Sequence, residues 1–351
     1  MRENSKKFLE KLLSTDSPSG LEENIQQEWI NYVKAYVKDI TTDTAGNVVA
    51  VINPDKEFKV LIAGHCDEIG FIVRYIDENG YIYVAKSGGV NIKLAQGKRV
   101  KILCETGVIK GVIGTMAAHH GAAKDKIEIE DIYIDCGAKD KEMIEKLVSV
   151  GDYVVYDMEY EYLLDNRLTG RGLDNRTGAF IVAEIMRELS TRDIDVCVYG
   201  VSTVNEETNM GGAYFASSRL KPSMALVCDV TFATDYPGID KRKIGDISLG
   251  KGPVLAKGAP INKRINELLK KTAEQKDINI QYELTPATTG TDGDKIRLTG
   301  EGVPIGLVSL PLRYMHSSSE VIEIKDIMDT IELIVDMIAN LTKEENLKPI
   351  K

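Results

Sequence analysis

The chain has 351 residues and a formal net charge of -10, with a sequence pI near 5.2. That length allows one or two domains with ample core, and the acidic balance argues against nucleic acid or an anionic membrane surface as a partner. No apolar run approaches the roughly 18 residues of a membrane helix, and the N-terminal stretch Met1 to Phe8 lacks the apolar centre of a signal peptide. The five cysteines, Cys66, Cys104, Cys136, Cys197 and Cys228, are scattered and form no C-x-x-C pair, which reads as reduced thiols in a cytoplasm.

Phe8, Leu9, Leu12 and Leu13 are spaced for a helix over residues 3 to 15, which Ser17-Pro18-Ser19-Gly20 ends. A second helix carries Ile25, Trp29, Ile30 and Val33 on one face. After a turn at Asp43 to Asn47, strands are expected at Val48 to Ile52 and Val60 to Ala63, the latter running into Gly64-His65-Cys66-Asp67-Glu68-Ile69-Gly70-Phe71. From Phe71 the texture changes to short alternating β runs separated by Gly and Asn turns: 71–76, 81–85, 100–104, 108–113, 132–135 and 153–156. This reads as a small β-barrel or curled sheet, residues 71–165, inserted into an α/β domain formed by 1–70 and 166–351.

Beyond the insert, Thr169-Gly170-Arg171-Gly172-Leu173-Asp174-Asn175-Arg176 opens a helix, and an apolar strand from Val196 to Val201 leads into Ser202-Thr203-Val204-Asn205-Glu206-Glu207. Met224 to Val227 is a strand ending at Cys228-Asp229, Ile261 to Lys276 an amphipathic helix, and Ile278 to Leu284 a strand. Thr289 to Gly293 is a loop, Val303 to Leu310 a strand followed by Arg313-Tyr314-Met315-His316, and a last helix spans Lys325 to Leu341.

The chemistry lies in where the polar residues fall. His65-x-Asp67, Glu206-Glu207, Asp229 and His316 each sit at or just past the C-terminal end of an apolar strand, and Asp174 opens a helix. In an open α/β sheet that edge is where ligands bind. Singly, each residue is better explained as a cap or a hydrogen-bonded structural group. Five such clusters at equivalent positions, holding two of only four histidines, point to a site. Neighbours on extended backbone point to opposite sides, so Glu206 and Glu207 can divide the work, one binding a metal and the other handling a proton. Two imidazoles and three carboxylates suit zinc or cobalt. A central carboxylate can bridge two metals about 3.5–4 Å apart, and two divalent ions balance three carboxylates and one hydroxide. The remaining Glu206 is then free to act as general base.

Together, H-x-D-E-I-G-F, G-x-D-N-R-x-G, E-E, D-V-T, G-T-D and Y-x-H-S resemble, in order and spacing, the dinuclear metalloaminopeptidases of the TET type. The resemblance covers essentially the whole chain, and that family includes glutamyl aminopeptidases and proteins labelled endoglucanase M. It implies a zinc-peptidase-like α/β sandwich with a mixed central sheet and an inserted β-barrel that serves dimerisation and assembly. It implies that His65 and Asp229 hold one metal, Glu207 and His316 the other, and Asp174 bridges them. Glu206 is then the catalytic base, and Asp67 orients His65. The implied reaction removes the N-terminal residue of a peptide through a metal-bridged hydroxide, with two divalent ions per subunit, Zn2+ or Co2+. Peptides with a free N-terminus are the implied partners, and homo-oligomers built from dimers, up to dodecamers, the implied assembly.

Asp67 as a simple turn cap and Cys66 as a core residue are the bland readings; the first is set aside and the second kept, since no base is dedicated to Cys66. Asp165 repeats the Asp-Asn-Arg pattern but is placed in the last strand of the insert, so Asp174 is preferred. His119 and His120 fall in a Gly/Ala-rich loop of the insert and suit a surface or interface role. For Thr291-Asp292 a substrate-side loop and a plain turn stand almost level. Asn205, Asn209-Met210-Gly211 and Ser318 depart from the family's usual residues, so the preferred N-terminal residue is not inherited from it. Three alternatives stay in view. A glycosidase would need only two carboxylates about 5–9.5 Å apart and leaves the histidines unexplained. A non-catalytic scaffold would lack a ligand or base, and none is missing. A dinuclear deacylase of small N-acyl compounds would use the same chemistry.

Overall fold

The computed structural model of the protein describes residues 1–116, 119 and 126–350. Its helices are α1 (Glu3–Ser14), α2 (Glu23–Val33), α3 (Lys141–Glu145), α4 (Leu173–Leu189), α5 (Glu206–Asn209), α6 (Gly211–Leu220), α7 (Lys241–Ile244), α8 (Lys263–Lys276), α9 (Gly293–Ile296) and α10 (Ile324–Ala339). The strands before and within the insert are β1 (Asp39–Thr42), β2 (Val48–Ile52), β3 (Lys59–His65), β4 (Gly70–Ile76), β5 (Ile82–Ser87), β6 (Arg99–Cys104), β7 (Gly107–Ile113), β8 (Tyr133–Asp135) and β9 (Tyr153–Tyr156). After it come β10 (Glu161–Tyr162), β11 (Arg167–Gly170), β12 (Cys197–Thr203), β13 (Met224–Phe232), β14 (Val254–Lys257), β15 (Gln281–Leu284), β16 (Ile305–Leu312) and β17 (Glu320–Glu323).

A mixed sheet in the order β1-β2-β12-β3-β13-β16-β14-β15 forms the centre. Its middle strands β12, β3, β13 and β16 run parallel, while β2 and β14 flank them antiparallel. Parallel strands are buried on both faces. Accordingly Val60 and Ile62 of β3 face a core shared with α1, α2, α4 and α10, whereas Leu61 and Ala63 face the other layer with Ala213, Ala216 and Ile296. α4 lies tight on β3: a Cβ on Gly64 would meet the backbone carbon of Gly178 at 2.5 Å, so neither element could approach so closely with larger residues there. This contact brings the end of β3 beside the start of α4, where His65 and Asp174 lie.

The insert closes into a barrel, β4-β5-β8-β7-β6-β9, around Phe71, Ile82, Val100, Ile102, Ile134 and Val154. The fold is thus the zinc-peptidase-like α/β architecture with a mixed sheet and a barrel insertion. The barrel's last strand ends at Tyr156, short of the expected limit at 165. The hairpin β10–β11 pairs instead with β17, Arg167 opposite Glu323 and Gly170 opposite Glu320. Asp165 is not in a strand of the insert: it is an exposed turn residue of that hairpin with φ 61°, a conformation Asp tolerates better than most residues. β13 is longer than its apolar run, because β16 pairs with it as far as Phe232, so Asp229 sits within a strand, opposite Ser309, after β3 has ceased to pair. Among the described residues no helix is long and apolar enough to cross a membrane.

Candidate active site

His65 ends β3, and its fully buried ring is fixed from behind. Nδ1 faces the Asp67 backbone oxygen at 3.2 Å and the Asp67 carboxylate at 3.3 Å. Nε2 is thereby left for the cluster in front, where Asp174 Oδ1 lies at 3.4 Å, Glu206 Oε2 at 3.7 Å and Asp229 Oδ1 at 4.0 Å. The other oxygen of Asp174 is 3.3 Å from His316 Nε2, and Glu207 Oε2 is 3.5 Å from the same nitrogen. Asp174 therefore stands between two histidines, one oxygen toward each. Two sets, His65/Asp174/Asp229 and Asp174/Glu207/His316, each have ligand-type atoms within 4.8 Å of one another and can hold a metal ion.

Glu206 and Glu207 do not alternate on extended backbone. Asn205 is left-handed (φ 59°), and the pair opens the single helical turn α5. Asp67 is the reason, since its carboxylate accepts the backbone N–H groups of both Glu206 (3.0 Å) and Glu207 (3.2 Å) as well as the Ser19 hydroxyl (2.6 Å). A carboxylate capping the two free N–H groups at a helix start stabilises that turn. The two glutamates still diverge, Glu206 toward His65 and Glu207 toward His316.

His316 hangs on a left-handed residue (φ 59°) in the loop after β16. Its backbone N–H donates to Glu320 (2.9 Å), which also accepts the Asp174 N–H (3.1 Å), so one buried carboxylate positions both residues. Its Nδ1 meets the backbone oxygen of Gly89 at 3.1 Å, in the barrel. A Cβ on Gly89 would fall 2.5 Å from that nitrogen, so the insert must present a glycine here. Glu320, Gly89 and Glu22, whose carboxylate accepts the Asn205 N–H at 3.2 Å, have no part in the sequence reading. Each works through a partner distant in sequence. Asp292, left open as a loop or turn residue, is fully buried, accepts the Thr203 hydroxyl at 2.5 Å, and leaves its other oxygen without a partner. Cys66 is a buried core residue, His119 is exposed, and His120 lies outside the described residues.

The acids crowd one another. Burial pushes the Glu206 carboxyl up to about 10, against the pull of His65 and with the push of Asp229, Asp292 and Asp174. Burial likewise holds Glu207 and Asp229 well above the ordinary carboxylate range. Burial would raise Asp174 too, but hydrogen bonds from His316 and His65 outweigh it and hold it low. Burial lowers both histidines, yet contact with Asp174 overrides it and leaves them raised. Glu207 Oε1 is buried with no hydrogen-bond partner. These residues open on a cleft of about 730 Å3 that runs along the C-terminal edge of the sheet.

The whole structure superposes on a TET aminopeptidase from the marine sediment archaeon Thaumarchaeota archaeon SCGC AB-539-E09 with a TM-score of 0.92 at 29% identity, covering 97% of each chain. The Pyrococcus horikoshii TET1 peptidase, which can assemble into a tetrahedron or a large octahedral shell, matches with a TM-score of 0.85 at 28% identity over 96% of this chain and all of that one. Fold and site together define a peptidase of the TET type. The chain belongs to the M42 glutamyl aminopeptidase family, whose profile matches residues 46–333. The lysyl aminopeptidase of Pyrococcus furiosus is 32% identical over 98% of this chain and 97% of its own.

Proposed function

We propose that the protein is a dinuclear metal-dependent aminopeptidase that removes the N-terminal residue from peptides, with Glu206 as general base. The observation that carries this reading is Asp174, a carboxylate with one oxygen on each of two histidine-carboxylate sets. The donor set fits two divalent ions: nitrogen and oxygen ligands, no thiolate, a surplus of buried negative charge, and an orphaned Glu207 oxygen. His65 and Asp229 would hold one ion, His316 and Glu207 the other, and Asp174 both. Bound there, two such ions polarise a carbonyl and make water a stronger acid.

The protein's own groups do the rest. Asp67 and the Gly89 carbonyl hold the two imidazoles with Nε2 forward. Glu206, a ligand in neither set, takes a proton from the attacking water and passes it to the leaving amine nitrogen. The free α-amino group of the substrate is held among the carboxylates, which limits cleavage to one residue at a time. Five free thiols support a reducing, cytoplasmic setting. Dimers formed through the barrel build a larger homo-oligomer in this reading; that a chain of this fold can form a large shell is supported by the P. horikoshii relative.

Metal-loaded protein is expected to release p-nitroaniline from aminoacyl-p-nitroanilides. A chelator should stop it, and Glu206→Gln should cut the rate by about 10²–10⁴-fold while two metals per chain remain bound. No release with any residue, despite two metals bound, would move the reaction to the deacylase; absence of bound metal would sink the ligand set. Light scattering on the same preparation checks the assembly, which a monomer would rule out.

A further inference from the structure

The family name is glutamyl and the P. furiosus relative is lysyl, so the residue removed has to be read from this cleft. Apart from the metal-type sets and Glu206, two charged side chains line it with opposite signs, Glu283 on β15 and Lys295 on α9. We infer that the cleft takes a basic N-terminal residue, lysine or arginine, and that Glu283 is the group that selects it. The inference rests on the aminopeptidase reading and names its substrate class.

Glu283 is built into the floor. One carboxylate oxygen accepts the Ser309 hydroxyl at 2.8 Å and the other the Thr231 hydroxyl. Both hydroxyls project beside Asp229: Thr231 is two residues further along β13 on the same face, and Ser309 is the residue opposite Asp229 on β16. Two residues along a strand span about 6.8 Å, and a lysine side chain carries its ammonium roughly 6 Å from its Cα, given ordinary bond lengths. A peptide whose first carbonyl lies at Asp174, Asp229 and Glu206 thus reaches Glu283 with a long first side chain. Ile247 and Leu284, also lining the cleft, offer apolar surface to its methylene stem. Thr285, two residues past Glu283, lines the cleft with a buried hydroxyl that has no hydrogen-bond partner, a further acceptor for the cation.

Among the described residues no Lys or Arg pairs with Glu283; two neutral hydroxyls are its only hydrogen-bond partners. Neutral donors do not repay the desolvation of a carboxylate, whereas a cation seated on it does. Lys295 has the opposite sign but stands exposed, where solvent and salt screen it. The half-buried Glu283 carboxylate therefore decides the preference.

The test compares lysyl-, arginyl-, norleucyl- and glutamyl-p-nitroanilides on metal-loaded wild type and Glu283→Gln. Norleucine matches the lysine stem without its charge. Wild type is expected to favour lysyl over norleucyl in kcat/KM by at least about ten-fold, the scale of a hydrogen bond to a charged group, and to reject glutamyl. Glu283→Gln should remove most of that ratio through the lysyl substrate, leaving norleucyl turnover within about three-fold, since Gln keeps the contacts to Thr231 and Ser309. A wild-type preference for norleucyl or glutamyl would overturn the assignment and leave the aminopeptidase standing. So would an equal loss on all substrates, or a preference of Leu-Lys over Lys-Leu dipeptides. No release from any of the four would overturn this assignment, and only silence across the full aminoacyl-p-nitroanilide panel with two metals bound would bring down the aminopeptidase reading with it.

Discussion

Asp67 lies behind the cluster and is in neither ligand set, yet it ties three pieces of the site together. Its carboxylate faces His65 Nδ1, caps the turn that carries Glu206 and Glu207, and takes the hydroxyl of Ser19 from the segment after α1. Asp67→Asn keeps the size and one acceptor oxygen but loses the charge that makes the His65 ring a better donor to a cation. Partners of this kind are worth about 10–100-fold in metal affinity. We expect a fall of that order, measured by competition with a chromogenic chelator, with circular dichroism unchanged. Unaltered affinity would make Asp67 a cap and nothing more. Asp67 and the other six residues were readable in sequence because each is a His, Asp or Glu at or past the end of an apolar run or, for Asp174, at the opening of a helix. Glu320, Glu22 and Gly89 were not, because what they contribute is an acceptor for a backbone N–H or a backbone oxygen aimed at a ring. Residue type does not announce such a role when the partner is more than a hundred residues away, as Asp174 is from Glu320 and Gly89 from His316.

At the scale of elements, sequence patterning located the strands that carry the site because they are apolar on both faces, located α1, α2, α8 and α10 because each has an apolar stripe, and located α4, which is buried on all sides, from its run of apolar residues. It missed α6, whose buried positions are Gly212, Ala213, Ala216 and Ser217, too small and polar to mark a stripe. It missed β14, four residues within a run of Gly, Pro and Lys. It treated Glu206–Glu207 as extended because the helical turn there depends on Asp67, about 140 residues earlier in the chain. Another long-range tie is Glu68, which is buried between Arg171 and Arg176 and accepts the Ser17 N–H at 3.0 Å. Arg176 also donates to the carbonyls of Leu13 and Thr15, so the network clamps the end of α1 to the entrance of α4 just before Asp174. Burial raises the Glu68 carboxyl, but the two guanidinium groups more than offset it and hold it below its ordinary 4.5. A lowered carboxyl contributes stability above its unfolded value, and that contribution is lost as pH falls through the folded one. Glu68→Gln leaves buried guanidinium charge uncompensated and should cost roughly 3–5 kcal/mol in urea unfolding at neutral pH. The deficit relative to wild type should shrink as pH drops below 4.5. A deficit independent of pH would mean that packing, not charge, holds this junction.

The molecule as a whole carries its negative charge inward as well as outward. β3, β12, β13, the start of α4 and the loop after β16 all deliver acids or imidazoles to one cleft, and the barrel closes it by reaching over with Gly89. Without cations this arrangement works against folding, and the pH dependence of that effect has a definite sign. Glu206, Glu207 and Asp229 are raised above their unfolded values, chiefly by burial, and His65 and His316 are raised by Asp174. Each of these groups binds its proton more tightly folded than unfolded, so each contributes stability at low pH that is lost as pH climbs. Asp174 has the opposite sign, but its lowered carboxyl acts only below its ordinary 3.8, outside the neutral range. Chelated protein should therefore lose thermal stability steadily from about pH 5 to pH 9. Metal-loaded protein should not, since ligands that must shed protons bind cations more tightly as pH rises. Differential scanning calorimetry of the two forms across that range should show melting temperatures that diverge, by at least about 5 °C at the alkaline end. A constant gap would mean that the cluster does not govern stability, and an apo form that grows more stable with pH would mean that its acids ionise freely and carry no burden for a cation to relieve.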